Sequence, residues 1–136
     1  MKIHGTLTKS GKFWLVHMPL LDAHTQGTSR SNALLMAADW IVSMADTPKL
    51  TAKATLTSKS TFEVACNDTA AFMALVLKQQ RQAHHLSLRE VAKRLGQTSP
   101  NAYARFESKK AKLSIEKFSQ LLGVVGVKAQ VHLELR

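Results

Sequence analysis

The stretch that decides the fold runs from Ser87 to Lys110, SLREVAKRLGQTSPNAYARFESKK. Ser87 precedes an apolar run and Glu90 follows three residues on, the spacing of a capping box. Leu88, Val91, Ala92 and Leu95 fall at i, i+3, i+4 and i+7, so they share one helical face. Gly96 stands where a left-handed C-cap is needed. Thr98 or Ser99 caps the next helix, and Pro100 sits in its first turn, where a missing N–H costs nothing. That helix is expected over about 100–108, with Tyr103 and Phe106 inward. A short helix, a turn holding Gly and a second short helix make a helix-turn-helix, whose second helix enters the major groove.

With Tyr103 and Phe106 inward, the opposite face holds Ser99, Asn101, Ala104 and Arg105. Asn pairs with adenine and Arg with guanine through two hydrogen bonds each. Ser99, Asn101 and Arg105 are therefore the expected base-reading residues. Ser87, Arg89, Thr98, Lys109, Lys110 and Lys112 suit phosphates, as does the Ser99 hydroxyl. The bland alternative is the solvated basic face of an ordinary helical bundle.

Working outward, the same half carries most of the charge. The chain has 136 residues and a formal charge of +10. Residues 1–68 hold seven basic against five acidic side chains, a net of +2, while residues 69–136 hold twelve against four, a net of +8. So uneven a field points to a polyanionic partner of the second half. Helices are expected before and after the motif, at about 70–84 and from the Ser114 cap with Ile115, Phe118 and Leu122 inward. VKAQVHLEL, residues 127–135, alternates like a last strand.

The first half reads differently. KIHGTLT and KFWLVHM alternate around a Ser10-Gly11 turn signal, and AHTQG follows as a third short strand. Ser29 caps a helix over about 30–45, with Leu34, Ala37, Ala38, Ile41, Met44 and Ala45 at helical spacing and Leu35, Met36 and Val42 widening the stripe. TAKATLTSKSTFEVACN returns to strand character. The class is α+β, a small β-β-β-α-β domain over 1–67 followed by a helical domain with a C-terminal strand over 68–136.

From Arg81 to Leu122 the chain resembles the phage-repressor helix-turn-helix, the Cro/CI or Xre class. The residues are Arg81, then LSLREVAKRLG, AYARFE and SIEKFSQLL. The resemblance implies that Arg81 pairs with Glu107, locking the domain's first helix to its third. GQTSPNAYARFE is one residue longer than the commonest Gly-to-Glu spacing of that class, which leaves the reading register open by one residue. HMPLLDAHTQGTSRSNALLMAADWIVSMA, residues 17–45, resembles the N-terminal domain of the HicB antitoxin family. Pro19, Thr25–Gly27, Ser29, Ala33-Leu34 and Ala37 or Ala38 carry the likeness. It implies a partly degraded RNase H-like fold, and an antitoxin that masks a small mRNA-cleaving HicA-type toxin while repressing its own operon at operator DNA. This chain departs from the family in its basic hairpin, TKSGKF, and in Arg30-Ser31-Asn32 where an acidic turn is usual. A stand-alone regulator, whose front domain oligomerises or senses a ligand, is the competing reading.

A two-metal nuclease needs converging carboxylates. Asp22, Asp39, Asp46, Glu63 and Asp68 are available, but only Asp39 and Asp46 share a helix, so no enzyme, catalytic residue, metal or cofactor is expected. His84 and His85 suit a helix C-terminus. His4, His17 and His24 fall on the sheet, Cys66 on a core strand, and Trp14 and Trp40 in packing positions. One cysteine excludes an internal disulfide, and the most apolar run, ALLMAADWIVSMA, is broken by Asp39 and too short for a bilayer. A soluble cytoplasmic protein is expected. One helix-turn-helix buries little surface, so a homodimer is expected on operator DNA. The last strand either pairs across the dimer axis or folds back, and the apolar helix at 33–45 offers a second self-interface that would give tetramers.

Overall fold

Alternating side chains build the front half. The structure, a computed structural model, describes residues 1–128 and Leu135. β1 (Lys2–Ser10) and β2 (Phe13–Met18) form a hairpin in which Ser10 opposes Phe13. A 3-10 turn, Pro19–Leu21, leads into β3 (Ala23–Gly27), and α1 (Arg30–Ala45) follows. Ser29 caps α1, its Oγ accepting from the Asn32 amide at 3.0 Å. β4 (Ala52–Leu56) and β5 (Thr61–Cys66) complete an antiparallel sheet of order β3-β2-β1-β5-β4 among the described residues.

The expected β-β-β-α-β order thus gains a strand, because TAKATLTSKSTFEVACN divides in two. Hydroxyls close that turn where Gly or Pro would normally mark one. The Thr57 and Ser58 amides donate to the Thr61 carbonyl at 2.9 and 3.2 Å, and both hydroxyls meet Thr61 Oγ1 at 2.7 and 2.6 Å. β5, not β4, pairs with β1, aligning Ile3 with Val64 and Gly5 with Phe62.

One sheet face is core. Ile3, Leu7, Val16, Met18, Ala23, Phe62 and Val64 are buried there. α1 lies over it through Ala33, Ala37 and Ile41, each four residues apart. The small residues let it lie close: a Cβ on Gly27 would collide with the Ala33 backbone. The close side is therefore narrower than the expected stripe. Leu35 is 68% exposed and Met44 41%. On the opposite, solvent-facing side of the sheet His17 and His24 stack across strands, with ring centroids 4.3 Å apart.

The helical half begins at Asp68, whose Oδ1 accepts from the Ala71 amide at 2.9 Å and caps α2 (Thr69–Ala83). α3 (Leu88–Arg94), α4 (Asn101–Glu107) and α5 (Ile115–Val124) follow. α2 has no wet face through its first half, for every residue from Ala71 to Leu77 is buried. Two glutamines bind it to the front half. Gln79 Nε2 donates to the Leu21 carbonyl at 3.1 Å, and Gln80 Nε2 to those of Leu20 at 2.6 Å and Pro19 at 3.3 Å. α5 turns Phe118, Leu121 and Leu122 inward, whereas Ile115, expected inward, is 55% exposed at the first turn. Among the described residues no helix is long and apolar enough to cross a membrane. The expected strand at 127–135 lies outside the described residues except for Val127, Lys128 and Leu135.

Candidate nucleic-acid interface

The site is built from its caps. Ser87 Oγ accepts from the Glu90 amide at 3.0 Å, and Glu90 Oε1 accepts from the Ser87 amide at 3.4 Å, so two donors at the start of α3 are satisfied reciprocally. The chain leaves α3 through Gly96 at φ +74°, a conformation that a Cβ makes costly. The Gln97 amide then closes back onto the Ala92 carbonyl at 2.9 Å. Arg94 ties α3 to the end of α5, donating through Nη1 to the Val124 carbonyl at 2.9 Å.

α4 begins one residue later than its sequence suggests. Pro100 is its N-cap, and Ser99 Oγ accepts from the Asn101 amide at 3.3 Å. Tyr103 is fully buried and Phe106 half-buried, with the Lys117 ammonium 5.7 Å from the Phe106 ring centroid.

Arg81 of α2 and Glu107 of α4 meet across 26 residues of sequence. Arg81 Nε donates to Glu107 Oε2 at 2.7 Å and Nη2 to Oε1 at 3.0 Å, while Nη1 donates to the Leu86 carbonyl at 2.8 Å. The two side chains are 12% and 8% exposed. Such a fork is directional and barely screened. It fixes the angle of α4 against α2. The hydrogen bond to Glu107 stabilises the charged guanidinium and raises the Arg81 pKa. Burial, and then the neighbouring carboxylate, push the Tyr103 phenol well above its ordinary value. No hydrogen-bond partner satisfies that hydroxyl among the described residues.

The outer face of α4 follows from what is inside. Tyr103 and Glu107, four apart, both turn inward, which tips Ala104 to a half-buried position and exposes Ala102 in its place. Ser99, Asn101, Ala102 and Arg105 are the exposed residues along this helix start and face. Ala102 was not expected there. Its signal was the glutamate, which had to be counted as an inward residue. Arg105 Nη2 donates to the Lys110 carbonyl at 3.3 Å, which steadies both the side chain and the following loop.

The residues suited to phosphates scatter more widely. Arg89, Thr98, Lys110 and Lys112 are exposed. Ser87 is exposed but its oxygen is engaged in the cap. Lys109, at φ +63°, lies beside a cleft between α1 and α2. Of the acidic residues, Asp22 and Asp46 are the C-caps of the 3-10 turn and α1, their backbone amides donating to the Pro19 and Val42 carbonyls, and the Asp68 carboxylate caps the start of α2. Among the described residues no three His, Cys, Asp or Glu side chains come together as a metal site would require.

Residues 77–131 match the family model HTH_3, described as Helix-turn-helix. No curated protein matches the chain. The matched segment spans the lower half of α2, the capped α3, the turn at Gly96 and all of α4 and α5. The C-terminal part of the chain thus carries a DNA-binding helix-turn-helix of the Cro/CI type, a domain of transcription regulators.

Proposed function

We propose that this chain is a non-enzymatic repressor that binds operator DNA through α4 and holds a protein partner through its front half. The observation that carries the DNA reading is the rigid seating of α4. Its inner side is fixed by the Arg81–Glu107 fork, and its outer side presents Asn101 and Arg105. In this reading Ser99, Asn101 and Arg105 meet base edges. Ser87, Arg89, Thr98, Lys109, Lys110 and Lys112 meet phosphates. The working unit on DNA is a homodimer in the cytoplasm. Residues 1–67 and 68–136 are its two functional halves.

For the front half the proposal is a HicB-like antitoxin masking a HicA-type toxin, on a degraded RNase H-like sheet. The resemblance over residues 17–45 supports it, as does the β-β-β-α order of the first four elements. A second reading, a stand-alone regulator, is favoured by the basic Lys9 and Lys12 flanking the hairpin and by the absence of an acidic residue in the first turn of α1. Co-expression with the short reading frame beside the gene separates the two. The antitoxin reading expects a small toxic protein to co-purify and its toxicity to vanish. Survival unchanged by this chain would sink it. DNA binding is tested on upstream DNA by fluorescence anisotropy. Six to ten phosphate contacts predict a loss of about 10³–10⁵ in affinity between about 50 and about 200 mM salt. A flat salt response refutes it.

A further inference from the structure

Where α1, α2 and the end of α4 meet there is a cleft of about 70 Å³. Met44, Ala74 and Leu75 give it apolar walls, and Lys78, Glu107 and Lys109 its polar ones. Glu107 is already engaged by Arg81. Neither Lys78 nor Lys109 has a carboxylate within 4.0 Å among the described residues. The cleft is therefore lined by apolar and polar groups alike, and it carries two lysines without a carboxylate partner among the described residues.

Met44 also ends a row. Met36, Trp40 and Met44 are four residues apart, so they lie in line along α1 over about 12 Å. Met36 is 36% exposed, Met44 41%, and Trp40 half-buried. Methionines on a surface adapt to varied apolar partners. The row leads into a cleft with room for a single aliphatic side chain.

A second copy of this chain is a poor cover. Two-fold pairing of the row would centre on Trp40 and set the exposed Asp39 of each copy on the same flank of the seam. It would also carry the Lys78–Lys109 end of one copy toward the start of α1 in the other, whose first turn has no acidic residue. Charge complementarity favours a different protein. We propose that this face of α1, with the cleft at its end, docks an amphipathic, acidic helix of a partner protein. Its apolar residues lie along Met36, Trp40 and Met44, one aliphatic side chain fills the cleft, and carboxylates face Lys78 and, off DNA, Lys109.

Trp14→Phe leaves Trp40 as the only tryptophan, since the chain has two. The full-length Trp14→Phe protein is titrated with two synthetic amphipathic helices of about four turns, identical except for glutamate or lysine beside a leucine row. The expected result is a saturable shift in Trp40 emission, about tenfold tighter for the glutamate helix. Met44→Asp, at an exposed position, abolishes it, and a Lys78→Glu, Lys109→Glu variant loses the preference. Equal binding of both helices, binding of neither, or binding indifferent to Met44→Asp overturns the proposal. So does a concentration-dependent dimer, seen by ultracentrifugation, that Met44→Asp dissolves, because then a second copy covers this face.

Discussion

Glu107→Ala is expected to cost about 3–5 kcal/mol of folding stability, the range for removing one partner of a buried pair. The figure follows from the setting. Arg81 is only 12% exposed, and without Glu107 it keeps one acceptor, the Leu86 carbonyl. Its charge cannot be discarded, because a guanidinium does not deprotonate in a protein. Against a usual total of about 5–15 kcal/mol the loss is severe. It equals roughly two to four powers of ten in the folding equilibrium. Urea unfolding followed by circular dichroism measures it. The companion variant, Arg81→Met with Glu107→Met, removes the charge and the carboxylate together and fills the space. It is expected to lie within about 1–2 kcal/mol of the parent, far above the summed single losses. A cost below about 1 kcal/mol for Glu107→Ala would place the pair among exposed ones and refute the reasoning. A double variant as damaged as the two singles combined would refute it too.

The remaining predictions concern the phenol, the reading face and the glutamine ties. The Tyr103 phenol stays neutral in the fold well above its ordinary value of 10.0, so above about pH 10 the unfolded chain loses its proton first. The folded state then holds more protons, and stability is expected to fall by up to about 1.4 kcal/mol per pH unit. Tyr103→Phe should flatten that decline in urea midpoints, and an unchanged slope would assign the loss to other groups. Arg105→Ala should relax preference at one base pair at a cost of about 1–3 kcal/mol, read by anisotropy on single-base operator variants. An equal loss on every sequence would make Arg105 a phosphate contact. Gln80→Leu leaves the Pro19 and Leu20 carbonyls without this donor and should cost about 1–3 kcal/mol in urea. If hydrogen exchange over residues 19–21 does not quicken, the tie is not what holds that turn.

Local signals were the legible ones. The Ser87–Glu90 box, the Gly96 exit and the Ser29 cap each depend on residues within a few positions of one another, and the structure shows all three. Where contacts are distant the sequence reads less well. The β4–β5 turn carries only hydroxyl and lysine side chains, so nothing marked a break in one long strand. Ala71–Leu77 is buried all round because two packings use different sides of α2, and such a helix has no periodic face to find. The outer face of α4 shifted from Ala104 to Ala102 because Glu107, a charged residue, turns inward to a partner 26 residues away. No spacing rule relates those two. Ile115 looked inward by period and stays wet because it is the first residue of its helix.

The double use of α2 bears on how proteins like this one can be recombined. A cut at residue 67 looks like a natural joint by charge and by pattern, yet it would strip from Ala71–Leu77 the cover given by the 3-10 turn and α1. A DNA-binding fragment begun there would carry a raw apolar strip and two glutamines whose acceptors had been left behind. Exchange of front halves between such chains must therefore replace the 3-10 turn and the upper part of α2 as one cassette. A graft that respects the sequence boundary but not the Gln79 and Gln80 contacts should yield insoluble chimeras.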